Sequence, residues 1–294
     1  MKKLKQIITQ VLAFPNDRPG ELNDLLWQLI CYSPKMPVRL QQEQLLNEAE
    51  KFSLKVNDDY FANKELLFNG FKWGNGSRKV LITHGWGSKA ADFTEIITAL
   101  KEVNDLEIIA FDAPGNGSSE GELSNLLLFT EATKAIIIKY GKPDILIGHS
   151  LGAMANVKVL SELAIIPSLL ISIAPLVRLK ENFEATMDGV QISKEAQFEF
   201  LKSFENKFSK PASYYNLNDM YPFVRKPATE EARFDHWLAY DRDDRIATYN
   251  YLEEFLDNKP SIKSQNYDEV GHERIIKSEL VIYDLVDKVK ANLG

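Results

Sequence analysis

The sequence predicts an α/β fold: one doubly wound, mostly parallel sheet with a helical lid inserted late and a helical extension in front. Three observations predict it. Between residues 79 and 173, apolar runs of strand length alternate with helix-length segments, the order that builds parallel βαβ units. One strand-to-helix junction reads Gly148-His149-Ser150-Leu151-Gly152, a G-x-S-x-G pentapeptide. The alternation stops after Ala174-Pro175 and resumes near His236, with helix-like sequence over 176–230 between.

Composition sets the outer limits. A length of 294 residues suits one large α/β domain with an insertion, or two domains. A hydrophobic fraction of 45% is ordinary for a full core. The net charge of −7 argues against nucleic acid or an anionic membrane surface as the main partner. Cys31 is the only cysteine, so no intrachain disulfide can form and a reducing, cytoplasmic setting is expected. No histidine stands in a partnering motif near Cys31, so a small buried apolar side chain is expected there. No apolar run approaches a membrane span. Met1-Lys2-Lys3 opens like an export signal, but the apolar part over 7–14 contains Gln10 and lacks a small-x-small cleavage site. Neither H-E-x-x-H nor clustered His and Cys occurs, so no metal or other cofactor is expected.

Leu4, Ile7, Ile8, Val11 and Leu12 recur at helical spacing and predict a helix over 3–13. Pro15 and Pro19-Gly20 break it. Leu22, Leu25, Leu26, Leu29 and Ile30 share one side of a second helix over 21–30, ended by Ser33-Pro34, and a third is predicted over 37–50. Residues 1–50 therefore read as an extension that packs on the main domain, with no visible chemistry. Its apolar stripe would also suit a homodimer contact, a reading the sequence leaves unsupported.

From Lys51 the texture changes. Residues 51–56 alternate polar and apolar like a half-exposed antiparallel strand. Residues 65–72 fit a strand less cleanly, because Leu66, Leu67 and Phe68 stand in a row. Trp73-Gly74-Asn75-Gly76 signals a turn. The alternating elements follow: strand 79–83, helix 91–102, strand 106–111, helix 125–140, strand 144–148, helix 153–163 and strand 168–173. After the insertion come strand 236–240, helix 246–256, strand 261–267 and helix 274–293. The core is thus expected over 51–175 and 231–294, with the lid over 176–230. In that lid Phe200, Phe204 and Phe208 recur every fourth residue, and Tyr214, Tyr215, Met220, Tyr221 and Phe223 crowd the end. Most of these aromatics read as the lid's own small core. Phe200, Phe204, Tyr214, Tyr215, Met220 and Tyr221 are the candidates for lining an apolar substrate pocket.

The pentapeptide carries the chemistry. Strand, sharp turn and helix is the context of a nucleophile elbow, in which a strained turn lifts the serine hydroxyl clear of the backbone. Glycine flanks avoid collision with the neighbouring strand and helix. The Leu151 amide opens the next helix, where unpaired N–H groups can face a developing anion. A second donor of that kind comes from a loop after an earlier strand, and His84-Gly85-Trp86-Gly87 stands there, with the Trp86 amide in place. An acidic run, Asp241-Arg242-Asp243-Asp244, follows the strand at 236–240, and Gly271-His272-Glu273 follows the strand at 261–267. The order is serine, acid, histidine.

These residues resemble the α/β-hydrolase fold superfamily over roughly 51–294. Asp112-Ala113-Pro114-Gly115-Asn116-Gly117-Ser118-Ser119 is similar to its D-x-x-G-x-G-x-S loop, whose role there is structural. Tyr240-Asp241-Arg242-Asp243-Asp244-Arg245 looks like the acid loop and Gly271-His272 like the histidine loop. Ala247 and Thr248 stand where that family often has valine and proline. The resemblance implies attack on a carbonyl by Ser150, with a histidine as base and an aspartate orienting it. Of four histidines, His149 lies in the elbow with its side chain directed away from the serine, His84 has a structural place, and His236 precedes the acid. His272 follows it and is expected to be the base. Asp244 is expected to be the acid, matching the family's position three residues past the turn, with Asp243 the alternative and Asp241 suited to the turn itself.

The activity so implied is cofactor-free hydrolysis of a small-molecule ester or thioester with a small to medium apolar acyl group. Acyl transfer and C–C bond hydrolysis use the same triad and stay open, as does a non-catalytic binding protein on the same fold. An aspartate nucleophile is excluded by the serine at 150.

Overall fold

The structure is a computed structural model and describes residues 2–14, 19–221 and 234–294. Three helices open it: α1 (Lys2–Leu12), α2 (Pro19–Cys31) and α3 (Leu40–Glu48). Ile7 and Val11, one turn apart, are the buried side chains of α1. The third helix starts later than 37 because Arg39 is still extended, and it ends before Glu50, where the first strand begins.

The sheet has eight strands, β1 (Glu50–Asp58), β2 (Lys64–Trp73), β3 (Arg78–Thr83), β4 (Leu106–Phe111), β5 (Ile145–His149), β6 (Leu169–Ile173), β7 (Asp235–Tyr240) and β8 (Lys263–Asn266). Their spatial order is β1-β2-β4-β3-β5-β6-β7-β8. β1 pairs antiparallel with β2, and β2 with β4; every other pairing is parallel. In β2 the apolar row resolves by alternation: Leu66 and Phe68 are buried, whereas Leu67 is half-buried. β5 and β6 are buried at every position, as parallel strands covered on both faces must be.

Helices α4 (Thr94–Lys101), α5 (Leu126–Tyr140), α6 (Leu151–Leu163), α7 (Leu179–Asp188), α8 (Lys194–Phe208), α9 (Leu217–Met220), α10 (Tyr249–Asn258) and α11 (Glu279–Leu293) cover the two faces. Alternate strand residues divide two apolar cores. Leu81, Ile109 and Leu146 join α1, α2 and α5 to α10 on one face. Val80, Ile82 and Ile147 join α3, α4 and α11 on the other.

The last two helices also differ from expectation. α10 begins at Tyr249 rather than 246, because the amides of Ile246 and Ala247 are bound by the Asp244 side chain. The final helix is split: a 3-10 turn, Ile275–Lys277, precedes an extended Ser278 and then α11.

The helices of the extension pack in two different places. α2 meets chiefly the helices that follow β6. The Trp27 ring sits 4.9 Å from that of Phe200, 6.0 Å from Phe204 and 5.8 Å from Phe208. α3 crosses to the other face, where the Trp73 indole N–H donates to the Leu45 carbonyl over 3.0 Å. Over 176–230 the described part holds α7, α8 and α9; residues 222–230, Phe223 among them, lie outside the described residues.

Candidate active site

Ser150 occupies the turn between β5 and α6 at φ +51° and ψ −120°, a backbone region costly for a residue with a Cβ. Its neighbours explain the glycines. A Cβ on Gly152 would lie 2.2 Å from the His84 carbonyl oxygen, and one on Gly148 would lie 2.6 Å from the Ala153 Cα. The serine amide donates to the Ile173 carbonyl over 3.0 Å and holds the turn in place.

Loops from the far end of the chain meet this turn. His272 Nε2 lies 2.9 Å from Ser150 Oγ, and His272 Nδ1 lies 2.6 Å from Asp244 Oδ2. The Asp244 carboxylate is buried, and its Oδ1 accepts from the amides of Ile246 at 2.7 Å and Ala247 at 3.0 Å. Burial opposes its ionisation, but His272 and these two amides outweigh that and hold its pKa below the ordinary carboxylate value. With the carboxylate charged, Nδ1 carries the proton it donates, and Nε2 is free to accept from the serine hydroxyl. Asp243 is exposed and makes no bond to His272. Asp241 does more than form a turn: its Oδ1 accepts from the Asp243 amide at 2.9 Å and its Oδ2 from the Gly271 amide at 2.7 Å, fixing the loop that presents His272.

The remaining histidines are buried and bonded elsewhere. His84 bridges two loops, donating through Nδ1 to the Gly85 carbonyl at 2.6 Å and accepting at Nε2 from the Ala113 amide at 2.9 Å. His149 donates to the carbonyl of His272. His236 meets Ser172 Oγ and the Tyr221 hydroxyl, each at 2.9 Å. That second Ser–His pair has a phenol where a carboxylate would be needed, and neither residue lines the cavity described next. Asp112 anchors the glycine loop, accepting from the amides of Ala90 at 2.8 Å and Ser118 at 2.7 Å.

A cavity of about 790 Å³ opens over Ser150 and His272. Trp86 and Leu151 line it, and neither amide donates within the described chain, whereas the next amide, that of Gly87, is taken by Asn116 Oδ1 at 3.2 Å. Of the aromatic candidates, Phe204 and Tyr215 line the cavity. Phe200, Tyr214, Met220 and Tyr221 do not: Phe200 is wedged between Trp27 and Phe183, Tyr214 is exposed, Met220 packs into the core, and Tyr221 turns to His236. Phe183 and Phe208 line it unanticipated, as do Leu29, Ile30, Cys31 and Met36 from the N-terminal extension. The extension thus forms part of the site's wall. Its signal was the apolar stripe of residues 22–30, which marks a buried face without naming what it faces. Burial pushes the Cys31 thiol pKa up.

A family model described as "Alpha/beta hydrolase family" matches residues 80–274, which includes Ser150, Asp244 and His272. The chain belongs to the alpha/beta hydrolase family. Solved structures agree on the fold. An esterase from Pyrococcus furiosus superposes with a TM-score of 0.59 at 20% identity, covering 90% of this chain and 98% of that one. A thermophilic esterase from Thermogutta terrifontis gives a TM-score of 0.56 at 15% identity, covering 82% and 99%. Mouse alpha/beta hydrolase domain-containing protein 10 gives 0.59 at 17% identity, covering 83% and 100%. No curated protein matches the sequence. Among the described residues of this alpha/beta hydrolase, no helix is long and apolar enough to cross a membrane.

Proposed function

We propose that this chain is a serine hydrolase that cleaves an ester or thioester of an apolar acyl group through an acyl-enzyme on Ser150. The observation that carries the reading is the unbroken line from Asp244 through His272 to Ser150, with spacings of 2.6 and 2.9 Å. In this reading Ser150 Oγ attacks the substrate carbonyl carbon while His272 Nε2 takes its proton. The new oxyanion accepts hydrogen bonds from the Trp86 and Leu151 amides. Collapse of the tetrahedral species breaks the bond to the leaving group, which departs with the proton from His272. Water then attacks the acyl-enzyme, His272 again taking and returning a proton, and frees the acid and Ser150. Asp244 holds the imidazole in the required tautomer and stabilises its charged form.

Esterases among the structural neighbours favour the same reaction class. The cavity's apolar lining favours an apolar acyl group. We further assign residues 51–175 and 231–294 to the catalytic core, 176–230 to a lid and 1–50 to a helical extension that completes the lid's inner wall. The single buried cysteine suits a reducing, cytoplasmic setting. The deciding experiment treats purified protein with a fluorophosphonate probe and a panel of p-nitrophenyl esters of graded acyl length. Labelling mapped to Ser150, together with turnover that varies with chain length, is expected. An unlabelled, inactive but folded protein would refute the reading.

A further inference from the structure

The cavity straddles the C-terminal edge of the sheet, and its two sides differ in chemistry. Toward the face that carries α2, α7 and α8 it is lined by Leu29, Ile30, Phe183, Phe204 and Phe208. Toward the opposite face it is lined by Arg39, Gln42, Lys89, Asp92 and Lys277. Arg39 and Lys89 stand just before α3 and the 3-10 turn Ala90–Phe93, which hold Gln42 and Asp92, and that turn packs on both α3 and the 3-10 turn Ile275–Lys277. Ser150 lies between the two sides.

The polar side has a surplus of positive charge. Lys89, with only 8% of its side chain exposed, lies 3.2 Å from Asp92 Oδ1. Asp92 also accepts from Gln42 Nε2 at 3.0 Å, from Ser88 Oγ at 2.9 Å and from the Lys89 amide at 3.2 Å. Burial raises its pKa, but Lys89 and these donors bring it below the ordinary value, so it stays ionised and matched to Lys89. Arg39 and Lys277 then have no carboxylate partner among the described residues. The cavity lining as a whole carries Arg39, Lys89, Arg245 and Lys277 against Asp92 and Glu273. On a protein of net charge −7, a paired lysine flanked by two unpaired cations beside the serine is a local inversion of sign. It would attract and hold an anion.

We propose that the substrate is an amphiphile, an apolar acyl ester or thioester whose leaving alcohol or thiol bears an anionic group, phosphate or carboxylate, held by Arg39 and Lys277. This rests on the hydrolase reading above. An ester's two arms diverge from the carbonyl carbon, so one falls on each side of Ser150. The apolar side is backed by the packed rings of Trp27, Phe204 and Phe208, whereas Arg39 is exposed to water. The acyl chain, which stays bonded to Ser150, belongs in the closed side; the leaving group, which must depart, belongs in the open one.

The test uses octanoyl esters of three matched alcohols that end in a hydroxyl, a carboxylate or a phosphate, with kcat/KM measured at low and high salt. At low salt the wild type should favour an anionic ester over the neutral one by on the order of tenfold, about 1.4 kcal/mol, as for two partly exposed ion pairs together. The preference should shrink as salt screens it. The carboxylate and phosphate arms tell which anion is taken. Arg39→Gln with Lys277→Gln should bring the anionic-to-neutral ratio toward one, and Lys277→Glu should take it lower still, with thermal melts confirming the fold. A wild-type ratio of one or less at low salt, or a ratio unmoved by the double substitution, overturns the proposal. In that case fluorophosphonate labelling and turnover of the neutral ester would still stand. If those fail as well, the hydrolase reading has failed and this proposal falls with it.

Discussion

The Nε2–H of His149 donates to the backbone carbonyl of His272 over 2.9 Å. The residue next to the serine thereby holds the loop that carries the histidine. Its Nδ1 has no hydrogen-bond partner among the described residues and faces Gly85, where an added Cβ would lie 2.9 Å away. A proton there would have no acceptor. Burial accordingly pushes the His149 pKa down to about 3, with the neighbouring His272 adding to the shift. Burial does the same to His236, also to about 3.

The acid stability of the fold should follow from this pair. Each ring stays neutral in the folded protein down to about pH 3, whereas in the unfolded chain a histidine binds a proton near 6.5. Unfolding therefore takes up protons between those values, and stability is lost as the pH falls through that window. Each ring contributes about 1.4 kcal/mol per pH unit once its unfolded form is protonated. Denaturant melts from pH 7 to pH 4 should show the decline, and His236→Gln should flatten it by one proton. A midpoint that is constant over that range would contradict the assignment.

Ser150→Ala should remove ester turnover and fluorophosphonate labelling while the melting temperature holds. What the oxyanion donors and binding can still supply is roughly a thousandfold to ten-thousandfold over water. Turnover of a p-nitrophenyl ester near the wild-type rate would place the nucleophile elsewhere.

Asp244→Asn keeps the shape but presents an amide to His272 Nδ1 and favours the wrong tautomer, so kcat should drop by up to roughly ten-thousandfold. Asp243→Asn, at an exposed side chain with no bond to His272, should lose far less. Steady-state kinetics on the two variants decides between them, and interchanged outcomes would make Asp243 the orienting acid.

Gly152→Ala tests the tightness of the elbow. Its new methyl would lie 2.2 Å from one backbone oxygen and 2.4 Å from another, a backbone clash costing about 3 kcal/mol or more. Calorimetry should show a loss of roughly 5 °C or more in Tm. An unchanged Tm would mean that β3 and α6 are less closely packed than these contacts require.

Phe208→Ala and Phe183→Ala enlarge the apolar side of the cavity and should shift acyl-length preference more than the rate on acetate. Each CH₂ of substrate that loses its packing forfeits about 0.8 kcal/mol. Tyr214→Ala, at an exposed ring away from the cavity, should leave the length profile as it was. Uniform loss across chain lengths in all three variants would mark the aromatics as supporting the fold rather than the substrate.

Much of this was legible in the residues themselves. Apolar runs such as Val80-Leu81-Ile82 and Ile145-Leu146-Ile147 are strands because covered parallel strands need apolar side chains on both faces, and that pattern is local. The elbow was legible because its spacing of glycines about a serine falls at a strand-to-helix junction, although Gly152 answers to the neighbouring strand at Thr83 and His84 rather than to its own unit. The order of serine, acid and histidine followed from where loops fall after strands. The motif match favoured Asp244 over Asp243 but gave no reason for its direction; that lies in the tertiary structure, since a loop side chain is oriented by partners far along the chain, here the Gly271 amide on Asp241 and the His272 ring on Asp244. The tertiary structure alone sent the Leu22 to Ile30 stripe to the aromatics of α8, so that an extension without visible chemistry became a wall of the cavity. Periodicity records which face of a helix avoids water; it carries no information about which other face meets it there.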